Sequence, residues 1–191
     1  ALPVPGGVVI SLAKLNRVLS IDIPNRRVTV EPGVTNLEIT RQVAPFGYYY
    51  APDPSSQQVC SIGGNVAENS GGAHCLKYGF TVHHVLAVEA VLTNADLVEI
   101  GSPLADAPGP DVLGLLVGSE GTLAIVTKAV VRILRKPESV QTLLAAFDSI
   151  SEAGSAVSEI IAAGIVPAAV EMMDAVAIEA AEAAVHPNFP P

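Results

Sequence analysis

Short apolar stretches broken by polar residues open the chain, VVISL at 8–12, VLSIDI at 18–23 and RVTVE at 27–31. In an extended chain successive side chains point to opposite faces, so each stretch predicts a short strand, with a turn at Pro24-Asn25 joining the last two. Pro32-Gly33 then ends the extended run. Thr35 and Glu38 have the spacing of a capping box, which predicts a helix that stops near Gly47. Further on, 85–93 (VLAVEAVLT) and 97–100 (LVEI) flank Asn94-Ala95-Asp96 as the arms of a hairpin. The proline-rich SPLADAPGP leads to a short apolar helix at 111–117, and a β-rich run extends from Leu123 to Leu134. RKPES at 135–139 interrupts the apolar pattern as a linker would. Beyond it, 140–147 reads as strand, 149–163 as helix, 168–172 as strand and 174–185 as an alanine-rich helix. The pattern is α+β, with antiparallel pairing before the linker and the start of a second domain in β-α-β-α order after it.

Composition narrows the class. The chain has 191 residues, enough for a sizeable core, and half of them are hydrophobic, which excludes disorder. Its apolar runs end well short of the ~20 residues of a membrane helix, so no transmembrane segment is expected. A net charge of −9 with 10 Lys+Arg, no Trp and 4% aromatic residues leaves neither a basic stripe nor stacking platforms for nucleic acid. Cys60 and Cys75 do not form a C-x-x-C motif and read as reduced packing residues. The amino-terminal ALPVPGG has neither the basic nor the apolar region of a signal peptide, which points to a cytoplasmic protein or one peripheral to a membrane. The chain starts without Met and ends on PNFPP, so both ends are expected to be cut from something longer.

Chemistry concentrates in residues 52–79, PDPSSQQVCSIGGNVAENSGGAHCLKYG, where two glycine pairs, Gly63-Gly64 and Gly71-Gly72, bracket a polar segment. Glycine tolerates positive φ and admits a ligand close to the backbone, so such pairs suit an anion cradle of converging peptide N–H groups. Taken alone they equally suit two tight turns. A second glycine-bearing run, GSEGTL at 118–123, favours the cradle. Neither G-x-G-x-x-G nor G-x-x-x-x-G-K-[ST] is present, which excludes the common dinucleotide and P-loop motifs. His83-His84 point to opposite faces if extended and cannot easily share one ion, and His74 has no second ligand pair, so no metal is expected. No G-x-S-x-G or H-E-x-x-H motif supplies a hydrolytic centre.

The segment at 52–79, followed in order by LLVGSEGTLAIVT and PAAVEMMD, resembles the FAD-linked D-2-hydroxyacid oxidase and dehydrogenase family, within it the glycolate-oxidase-subunit group. The resemblance covers essentially the whole chain. It implies the two-subdomain FAD-binding fold of the PCMH or vanillyl-alcohol-oxidase type, followed by the start of a ferredoxin-like α+β substrate (cap) domain. The expected division is 1–51, 52–136 and 137–191. By this likeness Pro52, Asp53, Pro54 and Ser55 face the cofactor, and Ser61, Ile62, Gly63, Gly64 and Asn65 approach its pyrophosphate. Asn69, Ser70, Gly71 and Gly72 continue toward the flavin ring, while Glu120, Gly121, Thr122, Ile125 and Val126 form the opposing wall. The chain departs from the family pattern in having Ser61 for Thr and Ala124 for Gly. The implied cofactor is non-covalent FAD, which carries the hydride chemistry. The implied substrate is a small 2-hydroxy acid such as glycolate or D-lactate, and the implied partners are other oxidase subunits or further copies of the chain. No residue here is assigned as the catalytic base. The resemblance leaves open an FAD-fold reductase, the flavin subunit of a different oxidoreductase, or a non-catalytic scaffold subunit. In the family a glycine-rich phosphate loop precedes ALPVPGG, and the substrate half, with its His-rich metal or catalytic motif, follows PAAVEMMD. These 191 residues alone are therefore expected to bind FAD poorly, since each lost charge-assisted hydrogen bond costs about 1.5–3 kcal/mol. Flavin fluorescence quenching checks this: tight stoichiometric binding by the 191-residue polypeptide contradicts it.

Overall fold

Val28 and Val30 alternate with partly exposed Arg27 and Thr29 and are themselves fully buried. The computed structural model, which describes residues 3–102 and 109–189, turns that alternation into the second strand of a five-stranded antiparallel sheet. The strands are β1 (Val18–Asp22), β2 (Arg27–Val30), β4 (Val85–Leu92), β5 (Leu97–Gly101) and β6 (Ala124–Arg132), in spatial order β1-β2-β6-β4-β5. A short pair, β3 (Tyr48–Tyr49) with β7 (Leu134–Arg135), lies outside this sheet. The β1–β2 turn is held by Asp22, whose carboxylate accepts from the backbone and side chain of Asn25 and from Arg27 Nε at 2.9 Å.

β6 is the centre of the sheet: it registers Val28 with Val131 and Val30 with Ala129 on one side, and Val88 with Ala129 on the other. Strands from both sides of residue 51 therefore share one ladder, and Ala1–Lys136 forms a single compact unit. Against the sheet pack α1 (Asn36–Val43), through Ile39 and Val43, and α2 (Ile62–Glu68), through Ile62 and Val66. Short helices α3 (Cys75–Tyr78) and α4 (Val112–Leu116) complete this unit. The second unit, Pro137–Pro191, contains α5 (Ile150–Ala162) and α6 (Ala175–Val185). Ser149 and Asp174 cap these helices by accepting from the amides of Glu152 and Ala177.

Several expectations require correction. Residues 8–12, 140–147 and 168–172 form no strand. Val8 and Leu143 are 89% and 94% exposed, and a strand without a ladder partner has no hydrogen bonds to hold it extended. Among the described residues the second unit thus shows helices without the strands of a β-α-β-α series. The Thr35 capping box does not close either: Thr35 makes no side-chain cap bond. Glu38 instead accepts from Gln42 Nε2 at 2.7 Å and approaches Arg41. The proline-rich excursion before residue 111 lies largely outside the described residues.

His84 is buried where the loop after α3 enters β4. One ring nitrogen, Nε2, bonds to the Tyr78 carbonyl at 2.9 Å, while Nδ1 has no partner. Burial, above all, holds its basicity below the ordinary imidazole value. The unfolded chain then takes up this proton more readily than the fold, so the stability His84 contributes is complete above about pH 6.5 and declines as pH falls below it. Urea midpoints should drop between pH 7.5 and 5.5 in the wild type, and the drop should shrink in His84→Gln. An unchanged pH dependence in the variant would remove His84 from this role.

Candidate functional site

Helix α2 organises the glycine-rich segment. Ser61 is its N-cap, extended at φ −93° and ψ 155°, and its Oγ accepts from Gly64 N–H at 3.3 Å. Ile62 N–H donates to Val34 O at 2.9 Å and Gly63 N–H to Pro32 O at 2.8 Å, while Asn65 N–H reaches Ser61 O at 2.9 Å. The first-turn amides expected to converge on an anion are thus engaged inside the protein. The reason is that a helix start docked on another segment cannot leave its donors unpaired without a cost of about 1–3 kcal/mol each, and the 32–34 turn offers carbonyls in register.

The glycines have separate reasons for being glycine. None of the four in the two pairs has a positive φ; Asn69 supplies the left-handed residue, at φ 51°, that ends α2. A Cβ on Gly63 would lie 2.7 Å from Pro32 Cβ, so the bare backbone lets α2 press directly on the turn. On Gly64 it would meet only Ser61 Oγ, at 3.4 Å. On Gly71 it would strike Cys75 Sγ and Phe80, and on Gly72 the Asp53 carbonyl. Three of the four serve close packing, and Gly64 leaves its surface open.

At its other end α2 presents terminal carbonyls, and the 118–122 run binds them. Gly118 N–H donates to Val66 O and Glu120 N–H to Ala67 O, both at 2.8 Å. Gly118, Glu120 and Gly121 all adopt positive φ, and Thr122 Oγ1 closes the loop onto Ser119 O at 2.6 Å. The two glycine-bearing runs are therefore joined through one helix. A cleft of about 190 Å³ lies along this junction, lined by Gly63, Val66 and Ala67 of α2, Gly121 of the loop and Ala124, Ile125 and Val126 of β6, together with Ile10 and Leu12.

Of the expected site residues, the cleft gathers Gly63, Gly121, Ile125 and Val126. Glu120 and Thr122 belong to the loop beside it, and Ser61 and Gly64 to the first turn of α2. Ile62 and Asn65 are turned into the interior, at 0% and 2% exposure. Asn65 Nδ2 is buried there without a partner. Pro52 and Pro54 are buried too, Pro52 O accepting from Asn36 Nδ2 at 2.9 Å, while Ser55 is exposed. Asn69 Oδ1 accepts from Val82 N–H, and Ser70 O accepts from the backbone and hydroxyl of Thr81. Asp53 is half-buried against His74 with its Oδ2 2.6 Å from His74 Nδ1, and Gly72 packs on its backbone. Sequence reasoning missed this pairing, whose partners stand 21 residues apart. Among the described residues, the amides of Ser61, Gly71, Ala73 and Gly121 donate to no protein acceptor.

An α+β scaffold with an apolar slot lined in part by bare glycine backbone, at Gly63 and Gly121, is of a class that holds an extended, partly aromatic cofactor. A family profile described as an FAD binding domain matches residues 1–101, and one described as the C-terminal domain of FAD linked oxidases matches residues 136–190. The chain belongs to the FAD-binding domain family. It is 50% identical, over its whole length, to glycolate oxidase subunit GlcD of Escherichia coli (strain K12), of which it spans 38%. A D-lactate dehydrogenase of Anaerostipes hadrus is 33% identical over 91% of this chain and 37% of that protein. Among solved structures, an alkyldihydroxyacetonephosphate synthase matches with a TM-score of 0.69 at 25% identity, over 82% of this chain and 28% of that one. The chain thus spans less than two-fifths of the length of these relatives.

The residues present fit FAD in kind. Gly64 and Gly121 leave bare backbone, with nothing closer than Ser61 Oγ at the first and nothing within 4 Å at the second. Ile125 and Val126 offer the apolar surface that an aromatic ring packs on.

The contrast inside the first glycine pair is testable. Gly63→Ala forces its methyl against Pro32 and should cost about 1–3 kcal/mol, whereas Gly64→Ala, in a helical turn with room, should gain about 0.5–1 kcal/mol. Thermal melts of the two variants should move in opposite directions; equal losses would refute the packing assignment.

Proposed function

We propose that this chain is the FAD-binding part of a flavin-dependent oxidoreductase that oxidises a small 2-hydroxy acid, such as glycolate or D-lactate, to the 2-oxo acid. The observation that carries the reading is the 50% identity to a glycolate oxidase subunit over the whole chain, which spans both the α2 junction and PAAVEMMD. In this reading FAD supplies the hydride acceptor when bound. The protein orients it: free amides at Ser61, Gly71, Ala73 and Gly121 donate to its anionic and carbonyl oxygens, and Ala124, Ile125 and Val126 exclude water from one side. Pro52 to Ser55, Ser61 to Asn65, Asn69 to Gly72 and Glu120 to Val126 mark its path. Inward-facing Ile62 and Asn65 shape that path by holding α2 in place. The relative's name describes a subunit, and association with further oxidase subunits belongs to the same reading. No helix among the described residues is long and apolar enough to cross a membrane.

The full-length protein should be yellow and should bleach anaerobically on addition of glycolate or D-lactate. A yellow protein that neither acid bleaches removes the substrate assignment, and a colourless one favours a scaffold subunit. Gly64→Ala should weaken flavin binding by roughly tenfold or more while raising the melting temperature of the flavin-free protein, since about 1.4 kcal/mol is tenfold in affinity. Undiminished flavin affinity in that variant would move the cofactor away from α2.

A further inference from the structure

The cleft has one wall that neither the sheet nor α2 supplies. Ile10 and Leu12 line it, yet residues 8–17 belong to no strand or helix, so this strap has no ladder to hold it in place. Ile10 is 61% exposed, an apolar side chain left at the rim of an apolar cleft.

The turn after β2 is what holds the strap. Gly33 N–H donates to Leu15 O at 2.6 Å, and Leu15 N–H closes a tight turn onto Leu12 O at 2.9 Å. A Cβ on Gly33 would lie 2.7 Å from both Leu12 O and Leu15 O, so the strap rests directly on bare backbone. Arg17 faces Glu31 one step beyond Val18 and Val30, the register pair at that end of β1 and β2. Glu31 N–H donates to Arg17 O at 3.0 Å, but Glu31 O is taken by Val34 N–H at 3.2 Å. The Glu31 carboxylate supplies the acceptor that the ladder lacks. Its Oε2 accepts from Arg17 N–H at 2.7 Å, and its Oε1 from Arg17 Nε at 3.1 Å and Nη2 at 2.7 Å. Glu31 is 5% exposed, and burial of a carboxylate is tolerated here because three donors of one residue meet it. Those bonds, the guanidinium's first and then the amide's, hold the Glu31 carboxyl below its ordinary range. Between Glu31 and Gly33 stands Pro32, whose carbonyl accepts from Gly63 N–H of α2. One turn thus fixes two walls of the cleft, the strap and α2.

We propose that Glu31 is a positioning residue for the flavin: through Arg17 it fixes the strap as a wall of the cleft, where Ile10 and Leu12 cover the bound cofactor. The assignment rests on the reading above that this chain holds FAD. Glu31 itself touches no cofactor. Its effect on affinity passes entirely through the two apolar side chains of the strap, which separates it from a residue that merely stabilises the sheet.

The test uses the full-length protein freed of flavin, with FAD affinity read by fluorescence quenching. Ile10→Ala combined with Leu12→Ala should weaken FAD binding roughly tenfold, through the lost apolar cover. Glu31→Gln should weaken it by a similar factor in the wild-type background and add almost nothing once Ile10 and Leu12 are alanine, since residues acting through one another are not additive. Hydrogen exchange without flavin should show the amides of Arg17 and Gly33 opening faster in Glu31→Gln, while those of Val28 and Val131 keep their protection. Should Glu31→Gln fail to fold, Arg17→Gln carries the same comparison from an exposed guanidinium, with a loss of about two- to fivefold that disappears in the alanine background. Losses that multiply in the combined variant overturn the proposal, as does exchange that speeds up equally at Val28 and Val131. Unchanged FAD affinity in Glu31→Gln or Arg17→Gln overturns it too, and leaves the flavin reading standing if the wild type binds. A wild type that takes up no FAD defeats both.

Discussion

The first unit depends on the docking of the α2 amino terminus against the 32–34 turn. Two main-chain hydrogen bonds, from Ile62 to Val34 and from Gly63 to Pro32, make this contact, and it closes only because Gly63 has no side chain to hold the two segments apart. One face of α2 is thereby committed to the core through Ile62 and Val66. Its far end is aimed so that the carbonyls of Val66 and Ala67 meet the 118–122 loop. The contacts run in order from β2, an inner strand, to the turn, the helix, the loop, and back into the sheet through β6.

This arrangement gives a different account of glycine richness from the one a ligand cradle suggests. Most of these glycines exist because protein backbone meets protein backbone or side chain, as Gly72 does on Asp53 and Gly71 on Cys75 and Phe80. Positive φ, the other usual reason for glycine, is found instead in the 118–122 loop, and there Glu120 shares it at φ 55°. A non-glycine residue held in that region is strained, and it persists because its amide is fixed on Ala67 O.

How much could be read from the sequence depended on whether the relevant interaction was local. The β1–β2 turn, the 85–101 hairpin, α5 and α6 follow from apolar spacing and turn residues, which act within a few positions of each other. Residues 140–147 and 168–172 have strand composition, but a strand is a property of two segments, and composition does not supply the partner. The Thr35–Glu38 spacing was right for a capping box, yet Glu38 had competing partners one turn further along, Gln42 and Arg41. At the site, the glycine-bearing runs were visible and their union through α2 was not, because the bonds that unite them span about fifty residues. The Asp53–His74 pair was hidden for the same reason: each residue is unremarkable in its own neighbourhood, and only the folded path of 52–75 brings them together.

Helix α2 also has a fixed length. Seven residues at about 1.5 Å each set a distance of roughly 10 Å between the turn that receives its start and the loop that receives its end. Both attachments are to main-chain atoms, so side-chain replacement along the exposed face leaves that distance alone. Inserting or deleting one residue within 62–68 would instead rotate one attachment by about 100° relative to the other. The segment can therefore drift in sequence but not in length, like a calliper whose opening is set by the number of peptide units between its jaws.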